Sequence, residues 1–293
     1  MFDNPPLLNG DVMPSDWDFP IETRPLYSRE LFDGPFSEEP ITSHSAIVRP
    51  DTGAVLGVHG KRYKPVKHDD IINSMMDAVK ESDITSDYNL TVDVLEGGRK
   101  MKGTIMFPDQ VIEPAVGDYI QFRVQFYNSY DGAWAFQQAA DGLRLWCLNG
   151  CTTPDTIAKT FAKHTANISL DGSATKMLNG LDIFRNQEEV FQQYQRRMVT
   201  QDEVTNFLER TVCSVPQKSG RPKVNNARLE ELSNQYDQER RSLGPNAWAL
   251  YNALTYWGSH AADSKSPENA IRIRNNTIAK AMKSAAWEVL TSG

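Results

Sequence analysis

Residues 118–127 read Asp-Tyr-Ile-Gln-Phe-Arg-Val-Gln-Phe-Tyr and alternate polar and apolar without a break. Side chains of a β-strand point to opposite faces in turn, so Ile120, Phe122, Val124 and Phe126 share one face. Tyr119, Gln121, Arg123, Gln125 and Tyr127 share the other. A chain carrying this stretch must build a sheet with at least one buried face.

The flanking sequence supplies partners. Leu90–Leu95 and Met101–Phe107 enclose Glu-Gly-Gly-Arg, a hairpin turn. After the turn Ser129-Tyr-Asp-Gly132, the stretch Ala133–Gln138 returns as a paired strand carrying Trp134 and Phe136, and Leu143–Cys147 ends the sheet. Upstream, Ser45–Arg49 and Ala54–His59 flank the turn Pro-Asp-Thr-Gly and predict another hairpin. Asp69 and Asp70 then cap a helix with apolar residues at Ile71, Ile72, Met75, Met76 and Val79.

From Thr152 onward the patterns are helical. Helices are expected over 154–166 and 186–198, and another opens at the capping box Thr200-Gln-Asp-Glu203. Two more cover 225–242 and 246–261, the latter with Pro245 at its first position. A last helix runs from Pro267 nearly to the end. The predicted class is α+β: a hairpin and an antiparallel β-meander packed with helices, then a helical C-terminal half.

Charge divides the chain differently. Residues 1–45 hold nine acidic and two basic side chains, which accounts for the whole net charge of −7. They also hold seven of the sixteen prolines. Such a segment rarely builds a core of its own and predicts an extended arm, docked on its own domain or on a neighbour. Residues 46–293 are then one domain, sheet-rich over 46–151 and helical over 152–293. This body is electrically neutral and can carry local basic clusters that attract a phosphate backbone.

Several function classes lack their signatures. No apolar run approaches the roughly 20 residues of a membrane span, and the start resembles no signal peptide. With three cysteines, a disulfide framework is not expected and a reducing, cytoplasmic setting is. Cys147 and Cys151 are spaced without the partners a zinc knuckle needs. No P-loop, dinucleotide fingerprint or nucleophile elbow occurs, so no cofactor, metal or catalytic residue is assigned.

The candidate site is a binding surface. Lys61, Arg62, Lys64 and Lys67 form a basic knot after the first hairpin, and Arg99 and Lys102 flank the second. Tyr119, Arg123 and Tyr127 form an aromatic–cation–aromatic ladder, with Trp134 opposite. Rings that stack on bases and cations that meet phosphates are what single-stranded nucleic acid requires. The same residues would equally serve as cross-strand packing if helices covered that face. Arg144, between Leu143 and Leu145, is the last candidate, and its face decides its role. The ligand expected is single-stranded DNA, with self-association into a homo-oligomer and no membrane partner. An assembly protein that oligomerises through residues 1–45 without binding nucleic acid is the alternative.

Three separated motifs carry a resemblance. Gly57, Gly60, Tyr63, Pro65 and Val66; then Arg144, Cys147, Asn149 and Gly150; then Trp248 and Leu250–Thr255 together resemble the phage- and plasmid-like, DUF932-like family catalogued as a domain of unknown function. The resemblance covers roughly residues 45–290. It implies a bacteriophage or plasmid protein of DNA metabolism and assigns no catalytic residue. The order of hairpin, helix and meander is also similar to single-strand annealing recombinases of the Rad/Sak type, which implies DNA recombination without nucleotide hydrolysis.

Overall fold

The computed structural model describes residues 17–29, 38–82, 84, 87–145, 149–151, 157–165, 167–217, 220–260 and 267–292. The elements are β1 (Glu22–Arg29), β2 (Glu38–Arg49), β3 (Ala54–Gly60), α1 (His68–Glu81), β4 (Asn89–Leu95), β5 (Lys100–Ala115), β6 (Asp118–Ser129), β7 (Phe136–Arg144), β8 (Asn149–Cys151) and β9 (Ala158–Ala162). They continue as α2 (Leu170–Leu178), α3 (Gly180–Arg196), α4 (Gln201–Arg210), β10 (Ser214–Val215), β11 (Lys223–Val224), α5 (Asn226–Leu243), α6 (Ala247–Ser259), α7 (Pro267–Met282) and α8 (Ala285–Thr291). The class is α+β, with an antiparallel β-rich first half and a helical C-terminal region.

The chain divides into two compact units. The first holds residues 1–107, 124–140 and 158–179, and the second holds 108–123, 141–157 and 180–293. This division does not follow residues 45 or 151, because β5, β6 and β7 each pass from one unit to the other along their length.

In the first unit, β1, β2 and β3 make an antiparallel sheet in that order. Phe19 packs with Ile47, Leu56 and Tyr130, so residues just before β1 join a core. The described part of the acidic segment is expected as an extended arm and forms paired strands, β1 against β2. Residues 1–16 and 30–37 lie outside the described residues. The larger sheet runs β4-β5-β6-β7-β8, with β9 also paired to β7. Within this unit Met101, Ile105, Phe107, Val124, Phe126 and Phe136 are wholly inaccessible. The helices α1 and α2 meet that face through Gln138, whose amide donates to Met75 Sδ at 3.4 Å and accepts from Ser173 Oγ at 2.6 Å.

In the second unit, Ile120 and Phe122 continue the buried row, and Phe122 packs on Phe184 of α3. The helix α6 is buried on nearly every side, in keeping with its all-round apolar sequence.

Several expectations change. The stretch 154–166 is not a helix: its described residues place β9 antiparallel against β7. β7 offers an unpaired edge there, and the β-formers Thr160 and Phe161 take it, so tertiary pairing overrides helical pattern. Trp134 lies in the turn before β7, not on the strand. The helix after Gly244-Pro245 starts at Ala247, because Asn246 supplies the cap by accepting from the Ala249 amide. The last helix is two, because Ser284 stops α7 and caps α8 through the Trp287 amide. Asp69 and Asp70 lie in the first turn of α1 behind Lys67 as cap residue. The capping box at Thr200 and Glu203 forms as read.

Candidate nucleic-acid interface

The basic knot sits in the first unit, in the turn joining β3 to α1, and aromatic rings hold it. Tyr63 stacks on His59 at 3.8 Å and on His164 at 4.9 Å between centroids. Its hydroxyl donates to the Ser129 carbonyl at 2.8 Å, and burial raises its phenol pKa above the ordinary value. His59 Nε2 donates to the Tyr130 carbonyl at 2.6 Å. The Lys64 backbone amide donates to the His164 carbonyl at 2.5 Å, and the Asn128 side-chain Nδ2 donates to the Val66 carbonyl at 2.8 Å.

This scaffold explains the first resemblance motif. A Cβ on Gly57 would collide with the Tyr130 carbonyl oxygen, so the strand can approach the turn only with glycine there. Below the stack, His68 accepts at Nδ1 from Asn128 and donates from Nε2 to the Gly98 carbonyl at 3.1 Å. Burial pushes His68 down to about 4, against the opposing pull of that carbonyl.

The backbone is held and the side chains point out. Lys61, Arg62, Lys64 and Lys67 are all exposed. Among the described residues, none of the four forms an ion pair. Lys64 donates to the neutral Asn167 amide at 2.5 Å. Asp69 and Asp70 follow in sequence, so residues 61–70 keep a net positive charge.

The outer face of the sheet in this unit is open. Lys102, Gln125, Tyr127 and Gln137 are half-buried there, while the same strands' inward residues are inaccessible. Lys102 stands opposite Asp93 on β4. Arg99 is exposed and donates to the Val55 carbonyl at 3.3 Å. Trp134 meets Tyr127 in a T-shaped contact at 5.9 Å and carries Lys100 over its ring at 5.4 Å. One face of that indole is therefore already occupied.

The sequence reading missed the strongest part of this face. Lys159, Phe161 and Lys163 follow one another at period two along β9 and just past it, and all are exposed, Phe161 by 58%. The signal was present as Lys-Thr-Phe-Ala-Lys, alternating around a β-former, but a helix was expected there.

In the second unit the expected cations are taken. Arg123 donates to Asp141 at 2.6 and 3.2 Å on the face opposite Phe122, where both side chains are largely buried. Arg144 is 2% exposed and donates to Asp118 at 2.5 Å and to Glu239 of α5 at 2.9 Å. The other Asp118 oxygen accepts from the Trp248 indole at 2.7 Å. Arg144 thus faces the core with its charge neutralised, and it is not offered to a phosphate. Leu145, its neighbour, is 42% exposed. Tyr119 is 45% exposed. Trp146 and Cys147 lie outside the described residues. Cys213 is buried, and desolvation pushes its thiol up to about 11, which suits a packing role. No helix among the described residues is long and apolar enough to cross a membrane.

No curated protein matches the chain. No solved structure matches it either, so the likeness to annealing recombinases finds no structural support. The family described as "Domain of unknown function (DUF932)" matches residues 55–284. That span takes in the Gly57–Val66 scaffold, the Arg144 end of β7 and the buried helix α6, and the chain belongs to this DUF932 family.

Proposed function

We propose that this protein is a non-enzymatic single-stranded DNA-binding protein of DNA metabolism, acting in strand annealing or recombination. The supporting observation is the turn at 61–67. Four exposed cations, none of which forms an ion pair among the described residues, are carried on a backbone tied down by the His59–Tyr63–His164 stack. Cations already neutralised gain little by meeting phosphate, whereas exposed ones release counterions when they do. Beside the turn lies a sheet face of half-exposed polar and aromatic side chains, which suits unpaired bases better than a smooth duplex.

Phosphate contacts in this reading come from Lys61, Arg62, Lys64 and Lys67, with Arg99 and Lys102 contributing at the hairpin. Arg123 and Arg144 keep structural roles, and Tyr119, Tyr127 and Trp134 are secondary. Titration of a fluorescent oligonucleotide tests the reading. Binding that weakens steeply with salt supports it, and absence of binding or salt-independent binding overturns it.

A second reading, self-association through the N-terminal segment, draws on β1. That strand is an edge of its sheet, and Tyr27 on it is 54% exposed. Light scattering of the full chain and of a Tyr27→Lys variant tests it: a discrete oligomer that the substitution dissociates supports the reading.

A further inference from the structure

We infer that β9 is a stacking strip for single-stranded nucleic acid, in which Phe161 stacks on a base while Lys159 and Lys163 hold the phosphates on either side. This rests on the binding reading above and deepens it, by naming residues outside the expected site and the part of the ligand that each meets.

The strip is built by pairing. Phe136↔Ala162, Gln138↔Thr160 and Ala140↔Ala158 set the register between β7 and β9, and put Ala158, Thr160 and Ala162 on the face of the buried residues Phe136, Gln138 and Ala140. Lys159, Phe161 and Lys163 therefore take the other face. Gln137, opposite Phe161, is half-buried and uncharged, and no ring contact covers the phenyl among the described residues. A phenylalanine exposed by 58% on an edge strand serves no core.

The spacing matches the ligand. Two residues of strand advance about 6.6 Å, close to the separation of successive phosphates in an extended single strand. Lys159 and Lys163, four residues apart, therefore stand about 13 Å apart, so they meet phosphates two steps apart, with Phe161 midway for a base between them. Neither lysine forms an ion pair among the described residues. Lys176 of α2 adds a third exposed cation and donates to the Lys159 carbonyl at 2.8 Å. The strip also joins the basic turn, through the Lys64 amide on the His164 carbonyl. Edge pairing with a second copy is disfavoured, because antiparallel self-pairing about Phe161 sets Lys159 against Lys163 of the other chain.

The test uses the full chain and fluorescence anisotropy with three probes of equal length: labelled oligodeoxythymidine, the same strand made of abasic residues, and a blunt duplex. The wild type should bind oligodeoxythymidine about tenfold more tightly than the abasic strand, as expected for a base stacked on a ring. Phe161→Ala should lose that preference and leave abasic binding unchanged, Phe161→Trp should retain it, and Lys159→Ala with Lys163→Ala should weaken both strands alike. If Phe161→Ala binds oligodeoxythymidine like the wild type, or weakens both strands equally, the inference fails while the binding reading stands. If the wild type binds none of the probes, the binding reading itself fails. Polyglutamate competing as well as oligodeoxythymidine at equal charge would make the strip an acidic-peptide site and overturn the inference.

Discussion

Arg144 and Asp118 meet at 2.5 Å on the core side of the sheet, both less than a tenth exposed, and together they join β6 to two helices. Asp118 holds the Trp248 indole of α6, and Arg144 holds Glu239 of α5. A buried pair of this kind contributes little net stability when intact, but breaking it strands uncompensated charge. Arg144→Ala leaves both Asp118 and Glu239 without their cation. The expected loss is about 3–5 kcal/mol, read by urea denaturation. A loss below about 1 kcal/mol, the range of exposed pairs, would show that the triad is not the joint described.

His68 predicts how stability follows pH. Its imidazole is neutral in the fold, held by Asn128 and the Gly98 carbonyl, with His164 nearby adding a repulsive charge when protonated. Its folded pKa of about 4 lies below the ordinary 6.5, so between these values the unfolded chain binds more protons than the folded one. Stability should therefore rise as pH increases from 4 to 6.5 and be complete above 6.5. The full effect is on the order of 3 kcal/mol. His68→Gln should flatten that part of the profile, and a variant with an unchanged slope would contradict the assignment.

The two glycines of the first motif should behave differently. Gly57→Ala drives a methyl into the Tyr130 carbonyl and toward the His59 ring, a clash that should cost about 1–3 kcal/mol. Gly60 has only the Ser43 carbonyl oxygen within reach, at 3.9 Å, so Gly60→Ala should stay within about 0.5 kcal/mol. Thermal denaturation of the two variants decides, and equal losses would contradict this account of the turn.

Alternation in 118–127 was enough to read a two-faced strand and its apolar side, because a period of two admits one backbone. It could not say which face of β7 lies inside. There the arginine went in and the leucines out, because Asp118, Glu239 and Trp248, remote in sequence, converge on Arg144. β9 was misread for a related reason: a short polar stretch becomes a strand only when a neighbour offers an edge, and that edge is a tertiary fact. With it went Phe161. Arg123 looked like a free cation because its partner, Asp141, is a cross-strand neighbour that spacing alone does not reveal. The basic turn was legible as composition, whereas the ring stack beneath it required His164, about a hundred residues away in sequence.

The central claim is that the turn at 61–67 meets phosphate and that Arg123 and Arg144 do not. Affinity for labelled oligodeoxythymidine, measured across a range of salt concentrations, tests it most directly. Each phosphate contact on a single strand contributes about −0.7 to the slope of log affinity against log salt. Replacing Lys61, Arg62 and Lys67 together by alanine should make the slope shallower by about 2, whereas Arg123→Gln in a folded protein should leave it unchanged. A slope that the triple replacement does not alter, or one that Arg123→Gln reduces as much, would contradict the account.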